Sequence, residues 1–514
     1  MAERDIEDVS ARMEKYENNI HIQYFDYLFA QIKNFSNLIN LARILNNTAM
    51  EIAVRELNFE NIFYNKNIIP LEETNPDFDI YSFNYNLLKT FYPLEIEFYH
   101  LKKQAESLLE FSEKFGGKSK FLSELLGYGE KSNFLILFQD NEIIKPTGGY
   151  FQAYGILEIN NGQVKKFSTH SMLDLDNLSA IALTEIPPKP MIEYANATTW
   201  LPSDSNWDPS WPKSAQKFKW FFENSSSTNK NYNKNLDGVI AFNLNMLRDL
   251  LKETGEVSVY GEKINYENFR DILKDENKKN ISELIIKVYK NLTEQGTQNL
   301  RDIFYKNIEL KNILFYFNNQ AVENIAKVLN YDGEIRNSDG DYLMVVDSSL
   351  DKNKNFTTKE EIYYDLKEEN NEFFVNLKIN YVNLSPEDYN SYVRIYVPVG
   401  SEFKSCNIEG KIDIYTESEK TVFGFFLPIE KNEIKNLICS YVLPEKIKTL
   451  KNKGDYSLYI QKQPGKKIDK LTVDLSFLDS IKLYEPTGFF VDFDNNHIKW
   501  EKTLKTDSEF LINF

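Results

Sequence analysis

Four of the five tryptophans of the 514-residue sequence fall in one short segment: Trp200, Trp207, Trp211 and Trp220. Prolines fix an irregular path through this segment, and Asp204 and Asn206 place polar groups beside Trp207 and Trp211. Such a loop is suited to sugar rings or prenyl chains, which stack on aromatic faces while their hydroxyl or phosphate groups form hydrogen bonds. The alternative is that the tryptophans anchor a long loop to the core. Trp220, on the following helix, is expected in the core under either interpretation.

A glycine-rich turn is the second candidate site. It begins at Gln139 and Asp140, directly after a short apolar run, and ends at Gly148 and Gly149. Sites in open α/β sheets lie where strands end, and glycines allow a close backbone approach. Lys145 and Thr147 supply a cation and a hydroxyl group for a phosphate. The turn matches neither GxGxxG nor GxxxxGK[ST], so it does not predict a nucleotide-binding fold, and a structural turn is the alternative.

Composition excludes several other classes of protein. The sequence has 60 Lys and Arg against 77 Asp and Glu, a net charge of −17, and this acidic balance argues against nucleic acid as a partner. Its four histidines are scattered without an HExxH or HxH motif, which argues against a histidine-metal hydrolase. Cys406 and Cys439 lie in apolar segments that resemble strands. The sequence allows two states for them, buried free thiols or one disulfide bond.

Three regions are predicted to position these residues. Apolar spacing of three and four residues predicts a helical spacer or stalk over residues 1–128. Alternating strands and helices predict a mixed α/β core over residues 129–335. Short strands at regular intervals predict an antiparallel β-sandwich over residues 336–514, as one or two Ig-like modules. No signal peptide or transmembrane run is visible.

Both candidate sites belong to a longer series of motifs that resembles the bacterial family catalogued as domain of unknown function 4012. The series continues from about residue 130 to the C-terminal region. Its motifs are Phe134-Leu-Ile-Leu-Phe-Gln-Asp-Asn, Lys145-Pro-Thr-Gly-Gly-Tyr, Asn161-Gly-Gln-Val, Asp204-Ser-Asn-Trp-Asp-Pro-Ser-Trp-Pro and Gln461-Lys-Gln-Pro-Gly. The resemblance implies an envelope protein with an extracytoplasmic body and one N-terminal membrane helix. Because this sequence lacks that helix, we expect it to be a shortened form.

The core of that family is in turn distantly similar to the LytR–CpsA–Psr phosphotransferases. This similarity implies a polyprenyl-pyrophosphate-linked glycan as substrate, Mg²⁺ bound together with the phosphorylated ligand, and Asp140, Lys145 and Asp204 as candidate catalytic residues. Asp140 takes the place of the first acidic metal ligand, whereas no carboxylate stands near the Gly148-Gly149 pair, where the second belongs. The family has Arg where this chain has Lys145 and where it has Ser203, so two bidentate phosphate contacts are missing.

The missing arginines and carboxylate favour binding over turnover. We therefore expect an extracytoplasmic envelope protein whose core binds a cell-wall glycan or polyprenyl-phosphate lipid through residues of the turn and the tryptophan loop. These residues are Lys145, Thr147, Gly148, Gly149, Asp204, Asn206, Trp207 and Trp211. An active glycopolymer phosphotransferase and a purely structural surface or adhesion protein are the two alternatives.

Overall fold

A computed structural model describes residues 120–514 except 129, 226–235, 260, 275–280, 296–299, 352–357 and 371. The chain divides into two compact units, Met1–Leu126 and Gly127–Phe514. Residues 120–125 form a helix at the end of the first unit. The rest of the predicted N-terminal helical spacer, residues 1–119, lies outside the described residues.

The first part of the second unit, called the α/β domain below, contains a five-stranded sheet. Its strands are β1 Ser132–Asp140, β2 Tyr150–Asn160, β3 Gln163–Ser171, β4 Gly238–Asn243 and β7 Ile313–Phe317, in the order β3-β2-β1-β4-β7. Strands β5 Val257–Val259 and β6 Glu262–Ile264 form a separate hairpin. The helices are α1 Met172–Ala182, α2 Lys189–Ala195, α3 Trp211–Asn224, α4 Leu244–Thr254, α5 Phe269–Lys274, α6 Ile281–Gln295, α7 Leu300–Glu309 and α8 Gln320–Val328.

The mixed sheet predicted for the core is confirmed. Strand β1 is buried along its whole length, and it pairs parallel with β4 and antiparallel with β2. Asn161 and Gly162 both have positive φ in the turn between β2 and β3, as the predicted Asn-Gly hairpin requires. Helices α1 and α2 were not predicted. Helix α2 has only seven residues and thus little helical periodicity, and Ser171 makes no capping side-chain hydrogen bond at the start of α1.

The C-terminal part, called the sandwich below, contains two seven-stranded sheets with the orders β13-β14-β11-β8-β16-β21-β18 and β12-β15-β10-β9-β17-β20-β19. Strands β8 to β15 are Asp341–Ser349, Thr358–Glu369, Glu372–Asn383, Tyr389–Pro398, Glu402–Cys406, Ile412–Glu417, Lys420–Ile429 and Ile434–Val442. Helix α9, Glu445–Lys451, follows. Strands β16 to β21 are Asp455–Gln461, Ile468–Ser476, Leu483–Glu485, Phe490–Asp494, His497–Leu504 and Ser508–Asn513.

Two halves share these sheets side by side. Strands β8–β15 form the first half and β16–β21 the second, and they meet where β8 pairs with β16 and β9 pairs with β17. Both of these pairs are parallel, so the prediction of an antiparallel region holds within each half and is wrong at the seam. In each sheet, an opening strand of the first half pairs with an opening strand of the second half. These two strands are not joined by a hairpin, which would have made them antiparallel. One continuous apolar core fills the space between the sheets.

Cys406 and Cys439 form a disulfide, which decides the alternative that the sequence left open. Cys406 in β12 lies directly opposite Cys439 in β15, with their Cα atoms 4.1 Å apart. Strand β12 is an edge strand with one neighbour, so the bond fixes the edge of its sheet covalently.

We predict that reducing this disulfide lowers the free energy of unfolding by about 3 kcal/mol, because reduction removes the constraint on the loop in the unfolded chain. The sequence separation of the two cysteines is 33 residues. Urea unfolding with and without reductant measures the difference, and a variant with serine at both positions serves as the control. A reductant effect of the same size in the serine variant would show that the destabilisation has another origin.

Candidate functional site

Lys145 lies at the boundary between the α/β domain and the sandwich. Its Nζ is 3.0 Å from Asp204 Oδ1 and donates a hydrogen bond to the backbone oxygen of Ser349, at 2.8 Å. Ser349 ends strand β8 of the sandwich. The side chains of Lys145 and Asp204 are only 5% and 2% exposed, so this ion pair is removed from water. Lys145 therefore connects two domains as well as two loops.

Asp204 is held in place by a short 3₁₀ helix, Pro202–Asp204. The backbone N–H of Ser203 donates to Asp176 Oδ1 at 3.0 Å, and the indole N–H of Trp200 donates to the backbone oxygen of Asp204 at 3.0 Å. Burial, and after it the negative charge of Asp204, raises the pKa of the Tyr150 hydroxyl well above its usual value. Tyr150 therefore stays neutral beside the Lys145–Asp204 pair.

Asn206 joins the tryptophan loop to the glycine-rich turn. Its Nδ2 donates to Thr147 Oγ1 at 3.1 Å and to the backbone oxygen of Gly149 at 2.8 Å. Thr147 and Asn206 are both completely buried, and Gln139 also donates to Thr147 Oγ1, at 3.4 Å. The structure thus brings Lys145, Thr147, Gly149, Asp204 and Asn206 together, and all five are buried from water.

The segment Gln461–Gly465 of the sandwich covers this turn. Gln463 Nε2 donates to the backbone oxygens of Lys145 and Asp347, at 3.1 and 2.8 Å, and Gln463 Oε1 accepts from the Asp347 N–H at 2.9 Å. A Cβ on Gly465 would lie 2.0 Å from the backbone oxygen of Gly148, so only glycine allows the two backbones to approach this closely. The contact of this segment with the turn was not predicted, because a polar segment between two strands is typical of an ordinary loop.

Trp207 is half-buried and packs against the sandwich. The Arg394 guanidinium lies 4.9 Å from the centre of the Trp207 ring, and its Nη2 donates to the backbone oxygen of Trp207 at 2.7 Å. Arg394 is 1% exposed and also reaches Ser348 Oγ, at 3.3 Å. Nearby, the rings of Tyr194 and Phe426 stack with their centres 4.7 Å apart. The tryptophan loop and helix α2 therefore pack on strands β11 and β14.

The other two tryptophans of this segment, Trp211 and Trp220, do not lie where the sequence predicted. Trp211, predicted to face a ligand, begins α3 and is completely buried in the α/β core. Trp220, predicted in the core, is half-buried, and Lys217 Nζ lies 4.3 Å from its ring centre. Both results follow from helix geometry, since nine positions at 100° each place Trp220 on the opposite side of α3 from Trp211.

Asp140, the candidate metal ligand, accepts hydrogen bonds from the turn and from strand β2. Its Oδ1 accepts from the Glu142 N–H at 2.9 Å, and its Oδ2 accepts from Gln152 Nε2 at 2.6 Å. Among the residues that the structure describes, no group of three His, Cys, Asp or Glu side chains is placed to hold a metal ion. A hydrogen-bonded single carboxylate does not fit Mg²⁺, which needs several oxygen ligands in octahedral geometry.

Comparison with known proteins supports the family resemblance over part of the chain. Residues 129–277 match the model of the family described as Protein of unknown function (DUF4012). No curated protein matches the sequence. The similarity to LytR–CpsA–Psr enzymes stays a prediction.

Two solved structures are similar to parts of the chain. One is described as a nutrient binding protein from Legionella pneumophila, with 8% identity and a TM-score of 0.26, over 34% of this chain and 71% of that one. The other is the transcriptional regulator yvhJ from Bacillus subtilis, with 14% identity and a TM-score of 0.19, over 39% of this chain and 98% of that one. At these scores neither structure informs the fold or the function of this chain. In the described part of the chain, no helix is long and apolar enough to cross a membrane.

We predict that Lys145→Met lowers the free energy of unfolding by about 3–5 kcal/mol, because it leaves the buried carboxylate of Asp204 without its cation. The double variant Lys145→Met/Asp204→Leu should recover most of that loss, since it removes both charges. Lys189→Met is the control, because the Lys189–Glu193 pair is 61% and 39% exposed and should contribute about 0.5 kcal/mol or less. Equal effects of Lys145→Met and Lys189→Met in chemical denaturation would contradict a structural role for Lys145.

Gly465→Ala should also destabilise the protein, by about 2–4 kcal/mol, because it combines a positive φ with overpacking against Gly148. The control is Gly261→Ala, where φ is +82° and a Cβ would meet nothing within 4 Å, so only the backbone cost of about 1 kcal/mol remains. The two variants are compared by urea unfolding. If both lose the same stability, the close approach of Gly465 to the turn does not matter energetically.

Proposed function

We propose that this protein is a non-catalytic component of the bacterial cell envelope, on the extracytoplasmic side, in which the predicted site residues join the α/β domain to the sandwich. The observation that carries the proposal is the buried position of Lys145. Its ammonium group is engaged by Asp204 and by the Ser349 backbone, under the cover of Gln463. A structural surface protein, the second alternative from the sequence, accounts for this arrangement best.

Phosphotransfer is less well supported by the same contacts. A transferase of the LytR–CpsA–Psr type needs cations that reach a pyrophosphate as charge develops on it in the transition state. Here the one cation of the turn is already neutralised by Asp204, and Ser203, where the family has an arginine, is completely buried. A pyrophosphate would have to displace both the ion pair and the sandwich segment above it.

Ligand binding without turnover is the second candidate function, and one feature favours it. Asn206 Oδ1 is buried without a hydrogen-bond partner in the described part of the chain, which is unusual for a polar atom in a protein interior. A glycan or polyprenyl-phosphate ligand that separates the sandwich from the turn would give this oxygen a partner. In that case an Ig-like sandwich would act as a cover for a LytR–CpsA–Psr-like core.

The proposed location rests on the disulfide. Disulfides persist in oxidising compartments and are rare where thiols are kept reduced, so the Cys406–Cys439 bond supports an extracytoplasmic body. The family resemblance points to the same side of the membrane.

The proposal is tested by incubating the protein with a polyprenyl-pyrophosphate-linked glycan, a cell-wall acceptor and Mg²⁺. We expect no transfer, and no change in melting temperature on adding the lipid, because the cation of the turn is not accessible. Lys145→Arg is the control variant, since it keeps the charge and supplies the guanidinium of the family pattern. Transfer by the unmodified protein would make it an enzyme. Saturable lipid binding without transfer would support the second candidate instead.

A further inference from the structure

Three charged side chains meet inside the sandwich, next to the segment that covers the glycine-rich turn. Lys466 follows strand β16, Asp347 lies in β8 and Glu360 in β9. Lys466 Nζ is 2.5 Å from Asp347 Oδ2 and also contacts Glu360 Oε2. The side chains of the lysine, aspartate and glutamate are 9%, 1% and 1% exposed. An amine and two carboxyl groups are therefore in contact in a space that excludes water.

Two tyrosine hydroxyl groups complete the cluster. Tyr381 OH donates to Asp347 Oδ1 at 3.0 Å, and Tyr389 OH donates to Asp347 Oδ2 at 3.4 Å. Both tyrosines belong to the apolar core of the sandwich. Asp347 thus has donors on both oxygens, whereas Glu360 Oε1 has no hydrogen-bond partner within the described residues. The two carboxyl groups are placed for different roles.

Charges buried in this way are costly, and the cost falls if the pair becomes neutral. Burial raises the pKa of Glu360 to about 7; the charge of Lys466 lowers this pKa, and the charge of Asp347 raises it further. This carboxyl group therefore accepts and releases protons near neutral pH. Burial lowers the pKa of Lys466, but the two carboxylates outweigh it and the net change is upward. The cluster therefore starts as an ion pair, and a proton must leave Lys466 before its nitrogen can act as a nucleophile.

We propose that Lys466 and Asp347 condense into an intramolecular amide, with Glu360 as the proton carrier. Lys466 Nζ first passes its proton to the Asp347 carboxylate, and the neutral nitrogen then attacks Cγ of the resulting carboxylic acid, so that a C–N bond forms in a tetrahedral intermediate. Glu360 takes a proton from the nitrogen and passes it to the departing hydroxyl group, so that the C–O bond breaks and one water leaves. No oxidant or cofactor takes part, and Glu360 is returned to its starting state.

The surroundings supply what this reaction requires. The reacting groups are already in contact, which removes most of the entropic cost of bringing them together. The hydroxyl groups of Tyr381 and Tyr389 donate to the carboxyl oxygens of Asp347, where negative charge develops as the nitrogen attacks. Exclusion of water favours the neutral reactants and opposes hydrolysis of the product.

A second buried pair shows what is specific to this cluster. Lys311 Nζ lies 2.7 Å from Asp507 Oδ2, with side-chain exposures of 2% and 8%. Burial raises the pKa of the Asp507 carboxyl group, but the charge of Lys311 and several hydrogen bonds lower it by more. This carboxylate therefore remains ionised. In the part of the chain that the structure describes, no second carboxyl group pairs with Lys311. We therefore expect no amide between Lys311 and Asp507.

The proposed bond would close a loop between residues that are 119 positions apart in sequence. It would tie β8, the strand in contact with Lys145, to the end of the segment that covers the glycine-rich turn. Closing so long a loop restricts the unfolded chain, so the melting temperature should rise by roughly 10 °C relative to a variant that cannot form the bond.

Mass spectrometry of the reduced, full-length protein tests the proposal. We expect an intact mass lower than that of the sequence by one water, and a branched peptide in which Lys466 is joined to Asp347. Glu360→Gln keeps the size of the side chain and should show the full mass of its sequence, because the proton carrier is lost. Lys311→Met is the control and should still show the loss of one water.

An intact mass equal to that of the sequence would overturn the proposal. A branched peptide that joins Lys466 to Glu360 would contradict the choice of Asp347, and a complete bond in Glu360→Gln would contradict the role of Glu360. Lys466→Met provides a second variant without the nucleophile. If it does not fold, the result for Glu360→Gln still decides the question.

Discussion

Polar groups that leave water need partners, and in this protein many partners of the α/β domain lie in the sandwich. The segment Gln461–Gly465 shows this most clearly. Gln461 accepts from the Arg336 N–H and donates to the backbone oxygen of Glu334, and Gln463 donates to that of Lys145. Both glutamines are almost completely buried. If the domains separated, these groups would lose their hydrogen bonds together.

Charged groups at the same boundary obey the same constraint. Lys311 of the α/β domain pairs with Asp507 of the sandwich, which also accepts from Tyr459 OH at 2.8 Å. Next to them Lys462 donates to the backbone oxygen of Leu310, and burial, helped by the charge of Lys311, lowers its pKa to about 7. Beside the Lys145–Asp204 pair, the boundary thus contains the Lys311–Asp507 ion pair and one lysine that gives up its charge easily.

Local patterns in the sequence predicted the elements but not their docking. The buried strand β1, the Asn161-Gly162 hairpin and helix α3 are each encoded within a few residues, and each is present. The spacing of Trp211, Ala215, Phe218 and Phe222 also contained the information that Trp211 faces the core, and the prediction overlooked it. The sequence singled out the residues that gather around Lys145 as a ligand site, and their role in binding stays a prediction. Their partner, however, is a backbone oxygen 204 positions away, and a backbone group has no sequence signature.

A lysine in a glycine-rich turn therefore has two physical interpretations, and the sequence does not separate them. A cation, a hydroxyl group and a close approach of the backbone can bind a phosphate, and they can equally form the contacts of a domain boundary. Exposure to water distinguishes the two, and it depends on residues of the sandwich such as Ser349, which lies 204 positions after Lys145 in the sequence.

The central claim, that buried polar contacts make the α/β domain and the sandwich unfold together, is tested most directly by native-state hydrogen exchange in increasing denaturant. The backbone amides of β1 report on the α/β domain, and those of β8 report on the sandwich. We predict that both sets reach the same free energy of opening with the same denaturant dependence. If the amides of β1 exchange through a separate opening of lower free energy, while β8 stays protected, the two domains are independent and the account is wrong.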